Sequence, residues 1–178
     1  MGKRPLVRRR GRGGMQFRAA STGKLLPAKY PRFGLSEQRK GQVIDLLHET
    51  GRDAPLAKVR FDDGSVSYFP SILGTKIGST VHFGLNSEVS PGNVISIQNI
   101  PDGTIVSNVE KYFGDGGSLV KSAGGYATVF SHSSEGVSLK LPSGKFTTLH
   151  PQNRAMIGIL AGGGAGDRPF MRAGPAWR

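Results

Sequence analysis

Residues 54–70 read APLAKVRFDDGSVSYFP, and this stretch decides the fold class. Leu56, Val59 and Phe61 set apolar side chains along one short run. Asp62-Asp63-Gly64 then forms a hairpin turn, because Asp and Gly tolerate the positive φ that tight turns require. Beyond it, Val66 and Tyr68 alternate with Ser65 and Ser67 in a second strand. Pro70 ends that strand, since proline has no N–H to give the ladder. Two short strands about one tight turn are a β-hairpin, and the neighbouring sequence repeats the pattern.

Upstream, Val43, Ile44, Leu46 and Leu47 precede the turn signal Thr50-Gly51. The run fits a short helix or a strand, and the turn-rich surroundings favour a strand. Downstream, Ile72-Leu73-Gly74 and Ile77-Gly78 read as a compact connection. Val81-His82-Phe83 is a further strand, 86–93 a polar loop, and Val94, Ile95 and Ile97 a fifth strand. Five short strands in one small segment imply a barrel of the oligonucleotide-binding type over 40–98. Ile100-Pro101-Asp102-Gly103 is a turn and a domain junction. A second series follows at 104–109, 118–121, 126–130, 137–141, 146–149 and 156–160, which predicts an SH3-like barrel over 99–160. The class is all-β, with a basic unstructured extension over 1–39 and a Gly/Arg-rich tail over 161–178. A barrel of about 60 residues is near the lower limit for a stable core, so the two are expected to pack on each other or on a partner.

Of 178 residues, 27 are Gly and 11 Pro, which agrees with many turns and short strands. The absence of Cys excludes a disulfide framework, a Cys-ligated zinc site and a thiol nucleophile. No apolar run reaches the ~18 residues of a membrane span, and no apolar segment follows the basic start, so the chain reads as soluble and cytoplasmic. The net charge of +12 is unevenly placed. Residues 1–40 hold 12 Lys/Arg against Glu37 alone, whereas 41–166 hold 9 Lys/Arg and 10 acids. A leader without acids repels itself unless a polyanion neutralises it. An anionic membrane would call for an amphipathic basic helix, which Pro5, Gly11, Gly13, Gly14, Gly23, Pro27, Pro31 and Gly34 oppose. Nucleic acid is the expected partner, with the leader ordering only against it. The apolar strand pattern starts at Val43, so the leader is expected to add little to the core.

Catalytic and metal motifs are weak. His48, His82, His132 and His150 show no i,i+4 pairing and no carboxylate at ligand spacing, so no metal site is expected. Ser118-Leu119-Val120-Lys121 and the run from Ser21 to Lys24 match S-x-x-K without its companion motifs. Gly162-Gly163-Gly164-Ala165-Gly166 has the composition of a phosphate loop, yet Asp167-Arg168-Pro169 follows where Gly-Lys-Ser/Thr would stand. More informative are Lys121-Ser122-Ala123-Gly124-Gly125 and Pro142-Ser143-Gly144-Lys145. Small residues let a backbone approach a sugar–phosphate chain, and Lys supplies counter-charge; the same residues also make ordinary turns. Phe61, Tyr68, Phe69 and Phe83 fit either base-stacking platforms or core.

The runs KGQVIDLLHETGRDAPLAKVRF (40–61), IPDGTIVSNVEK (100–111), KSAGGYATV (121–129), LPSGK (141–145) and NRAMIGILAGGG (153–164), with RGRGGMQFRAAS (10–21), closely resemble the large-subunit ribosomal protein two family in its archaeal and eukaryotic form. The resemblance implies an oligonucleotide-binding-like barrel followed by an SH3-like barrel. It further implies a non-enzymatic binder of large-subunit rRNA near the subunit interface and the peptidyl-transferase region. The rRNA contacts it implies, joined to the basic residues of the leader and tail, are Arg4, Arg8, Arg9, Arg10, Arg12, Arg18, Lys24, Lys29, Arg32, Arg39, Lys40, Arg52, Lys121, Ser122, Gly124, Ser143, Gly144, Lys145, Asn153, Arg154, Arg168, Arg172 and Arg178. Neighbouring ribosomal proteins are further expected partners. A membrane, a small-molecule substrate, a cofactor and a stable homo-oligomer are not expected. The alternative is a stand-alone single-stranded RNA-binding module. Family members continue past the segment matching Arg172-Ala173-Gly174 into a long basic extension with a His- and Gly-rich motif, whereas these residues end at Arg178. Pro175 stands where the family carries a basic residue.

Overall fold

The computed structural model describes residues 2, 5, 11, 13–18, 22–25, 27–32, 37–84 and 87–174. Its strands are β1 (Arg39–Leu47), β2 (Leu56–Phe61), β3 (Val66–Pro70), β4 (Thr80–Phe83), β5 (Val94–Ser96), β6 (Ile105–Ser107), β7 (Ala127–Ser133), β8 (Gly136–Lys140), β9 (Phe146–Leu149) and β10 (Arg154–Ile157). The expected all-β class holds. The hairpin at 54–70 forms as read: β2 and β3 pair antiparallel from Leu56↔Pro70 to Arg60↔Val66, and Pro70 closes an edge strand. The run before Thr50-Gly51 is a strand, with a bulge between Val43 and Asp45. The strand expected over 118–121 is replaced by a single bridge, Val109↔Leu119. Asn108 (φ 45°) and Val120 (φ 54°), which face each other next to that bridge, adopt left-handed backbone, which stops a ladder from extending there.

The ten strands form one sheet in the order β3-β2-β1-β4-β5-β10-β6-β7-β8-β9. Two cores lie on it. Val43, Val59, Phe61, Phe69, Phe83 and Val94 fill the first, and Val106, Val129, Val137, Leu139 and Leu149 the second. β5 and β10 are the seam between them. Along β10, Met156 enters the first core while Ala155 and Ile157 enter the second. A period-two side-chain alternation, harmless on a solvated strand, here feeds two different interiors. All four β10 residues are therefore buried.

The extension differs from expectation at its root. Ala28 and Tyr30 are buried, and Tyr30 belongs to the first core. Its ring meets Phe69 and Phe83 edge-to-face, each at 5.8 Å between centroids. Such pairs contribute about 0.5–1.5 kcal/mol beyond their buried area. The Tyr30 N–H donates to Gly116 O (2.9 Å) and its hydroxyl to Asn108 O (2.7 Å), so one side chain ties the leader to both halves. A single tyrosine among glycines, prolines and cations gives no periodic signal, because its partners lie tens of residues away.

Candidate nucleic-acid interface

Three turns singled out in the sequence converge. Residues 50–55, 121–125 and 161–164 meet through their backbones. A Cβ on Gly124 (φ +68°) would lie 2.7 Å from the Cα of Gly163, and one on Gly162 would lie 2.8 Å from Asp53 O. The Gly124 N–H donates to Leu160 O and the Leu160 N–H to Gly125 O. Glycine at 124 is thus required by chain-on-chain packing and by its own φ, before any ligand is considered.

The cations around this junction divide into two kinds. Lys121, expected as an exposed turn lysine, is half-buried. Its Nζ donates to Ala28 O (2.7 Å) and Gly117 O (3.0 Å), clamping the leader to the second half. Burial pushes its pKa down, and the nearby Arg52 and Lys29 charges add to that. Lys121 thus serves the fold as a clamp, in addition to any charge it offers a ligand. Arg52 stays half-buried and donates to the Glu49 carboxylate. That hydrogen bond holds Glu49 below its ordinary value, against burial, with help from the Leu25 N–H. Arg18, Lys24, Lys29 and Arg32 are exposed. Lys24, Lys29 and Arg32 form no ion pair with a described residue.

Asn153 and Arg154 likewise turn inward. Both are buried, and their donors face inward. Asn153 Nδ2 donates to the carbonyls of Glu110 (3.1 Å) and Lys111 (2.9 Å). The Arg154 guanidinium forks onto Glu110, Nη2 to Oε1 at 2.6 Å and Nε to Oε2 at 3.1 Å, while Nη1 donates to Pro31 O. The guanidinium carbon lies 5.8 Å from the Tyr30 ring centroid and 5.7 Å from that of Phe113. Glu110 is 0% exposed and also accepts from the Gly116 N–H. A fully buried carboxylate needs such partners. Sequence reasoning did not single out Glu110; the available signal was an acid closing the run IVSNVE, with an arginine opening the apolar run RAMI.

This chain matches the family model for Ribosomal Proteins L2, C-terminal domain, over residues 90–178. It is 72% identical over 178 residues to the large ribosomal subunit protein uL2 of Cenarchaeum symbiosum, covering 100% of the chain and 73% of the relative. The uL2 protein of Nitrosopumilus maritimus is 72% identical over 179 residues, with the same coverage. That of Korarchaeum cryptofilum is 44% identical over 174 residues, covering 98% of the chain and 71% of the relative. The chain belongs to the uL2 family.

Other candidate positions on this uL2-family chain are surface residues. Lys40 is exposed on β1, and Ser122 on the 121–125 turn. Arg39 is engaged with Glu37 and Asp63, which offsets its charge. Ser143, Gly144 and Lys145 are exposed on the β8–β9 hairpin, and Arg168 and Arg172 on the tail. Arg4, Arg8, Arg9, Arg10, Arg12 and Arg178 lie outside the described residues. Phe61, Phe69 and Phe83 are core, which removes them as stacking platforms; Tyr68 is half-buried.

Proposed function

We propose that this chain is a structural, non-catalytic constituent of the large ribosomal subunit that binds and stabilises large-subunit rRNA near the subunit interface and the peptidyl-transferase region. The observation that carries the reading is the anchored root of the leader. Lys24, Lys29 and Arg32 are exposed on a segment whose Ala28 and Tyr30 are buried, so these cations are held at fixed places on the body. Fixed cations position a phosphate backbone without reading its sequence. Residues 40–98 and 99–160 act as the two barrels, 1–39 as the RNA-binding extension and 161–178 as the tail. Neighbouring ribosomal proteins are the other partners. No membrane, cofactor, metal, small-molecule substrate or stable self-association enters the function, and the site of action is the cytoplasmic ribosome.

Crosslinking in cells tests this directly. One fixed locus on large-subunit rRNA is the expected result, whereas sites dispersed over many RNAs would mean a stand-alone single-strand binder. In vitro, a leader engaging roughly 6–10 phosphates loses about 10³–10⁵ in affinity between about 50 and 200 mM salt, by the duplex slope. A flat titration removes the electrostatic account.

A further inference from the structure

The outer face of β7, β8 and β9 carries an aromatic pair that neither core uses. Phe130 is 59% exposed and Phe146 55% exposed. Their centroids are 5.0 Å apart at 70° between ring planes. Phe130 sits at a bulge: the β7–β8 register shifts between Val129 and Ser131, and Phe130 is the extra residue. Bulges re-aim a side chain at the cost of one ladder position. At this bulge Phe130 lies beside Phe146, which sits at the start of the edge strand β9.

The surroundings have one chemical character. Thr128, Lys140 and Phe146 line up across the three strands, through the pairs Thr128↔Lys140 and Lys140↔Phe146. Beside that row lies a shallow cleft of about 260 Å³, lined in part by Tyr126, Thr128, Lys140, Pro142 and Gly144. Tyr126 and Lys145 are exposed. Hydroxyls, aromatic rings and two lysines make up the patch, and no residue named in it is acidic. Protein–protein interface cores share the aromatic rings but are depleted in Lys, so the two lysines beside the rings favour a phosphate-bearing partner over a protein. Rings with flanking cations match single-stranded RNA, whose bases stack on aromatic side chains while its phosphates meet positive charge.

We propose that this face is a stacking site for an unpaired RNA base, with Phe130 and Phe146 as the platform and Lys140 and Lys145 holding the flanking phosphates. The proposal rests on the rRNA-binding reading for the nature of its ligand, but it concerns a surface remote in sequence from the leader. It also relocates base stacking from the first half, where the phenylalanines are core, to the second.

The test uses the full chain and a single-stranded oligoribonucleotide carrying 2-aminopurine, an adenine analogue whose fluorescence is quenched on stacking. Wild type quenches the probe. Phe146→Ala weakens binding about 10- to 100-fold and abolishes the quench, and Phe130→Ala acts in the same direction. Phe146→Tyr retains both signals. Phe146→Leu, apolar but without a ring, behaves as the alanine variant. Thermal melts stay cooperative and fall by only a few degrees, since both side chains are more than half exposed and one ring pair is lost. An alanine variant that binds and quenches as wild type overturns the proposal. Full binding and quenching in Phe146→Leu also overturns it, because the ring is then not the platform. Binding of large-subunit rRNA is titrated with salt in parallel. A wild-type chain that binds rRNA yet leaves the probe unquenched sinks the stacking site alone. Quenching without rRNA binding sinks the ribosomal reading and leaves the site standing.

Discussion

Two turns of this chain are built from nearly the same letters. Lys121-Ser122-Ala123-Gly124-Gly125 and Pro142-Ser143-Gly144-Lys145 each combine small residues with one lysine, and both read as loops for a sugar–phosphate backbone. They differ in three dimensions. The second stands free at a hairpin tip with Lys145 exposed, while the first is wedged against Gly163 and holds its ammonium on two carbonyls. A lysine's role is set by what reaches its ammonium, and here the leader reaches one lysine and not the other. The same division separates Arg154, forked onto Glu110, from the exposed Lys24, Lys29 and Arg32.

The division breaks most sharply at Arg154. Arg154→Ala leaves the Glu110 carboxylate buried without its partner and frees Pro31 O. The expected loss is about 3–5 kcal/mol of folding stability, read by chemical denaturation. An unchanged midpoint would return Arg154 to the surface class. Next comes Lys121→Glu, which sets a carboxylate against the carbonyls of Ala28 and Gly117. About 2–3 kcal/mol should be lost, with an early thermal melt. If that variant melts as wild type and only RNA binding falls, Lys121 belongs with Lys145 after all.

Tyr30 tests whether the leader's root is part of the fold. Burial first, and then the nearby Glu110 charge, raise its pKa well above 10.0. Because the folded value exceeds the unfolded one, its contribution is fully present below pH 10 and lost as pH rises through the folded value. Tyr30→Phe should cost about 1 kcal/mol near neutrality, for the hydrogen bond to Asn108 O. It should also remove part of the alkaline loss of stability, measured by denaturation across pH 8–12. An identical alkaline limb in both proteins would detach Tyr30 from the core.

Lys145→Glu has the smallest expected effect on folding, within about 0.5 kcal/mol. Its consequence lies in RNA binding: the slope of log affinity against log salt should fall by about one for the lost contact. A stability loss as large as that of Lys121→Glu would erase the contrast between the two turns.

Much of the strand pattern was legible because it is local. Phe146–Leu149 forms as read, and β2, β3, β4 and β8 lie within a residue of expectation, since alternation and Gly/Pro/Asp turns act over a few neighbours. The strand expected at 118–121 was not, because its loss depends on the left-handed backbone at Asn108 and Val120, and the nearby Gly117 admits no Cβ against the Asn108 side chain. The candidate site was legible as charge and poorly legible as geometry. Composition pointed to the leader cations and the 143–145 turn, and both are exposed where described. Lys121, Asn153 and Arg154 read from the sequence as loop residues, and only the folded chain turns their donors inward.

By itself, then, the order of residues determined the all-β class, the strand and turn rhythm, the placement of charge in the first 40 residues and the family. Each of these follows from short-range stereochemistry or from a sum over the chain. Tertiary structure alone decided that β5 and β10 serve two cores at once, that Tyr30 enters the first of them, that Glu110 is Arg154's partner, and that Phe130 meets Phe146 across a bulge. Those outcomes depend on contacts between residues distant in sequence, where burial and hydrogen-bond satisfaction, rather than local propensity, select the partner.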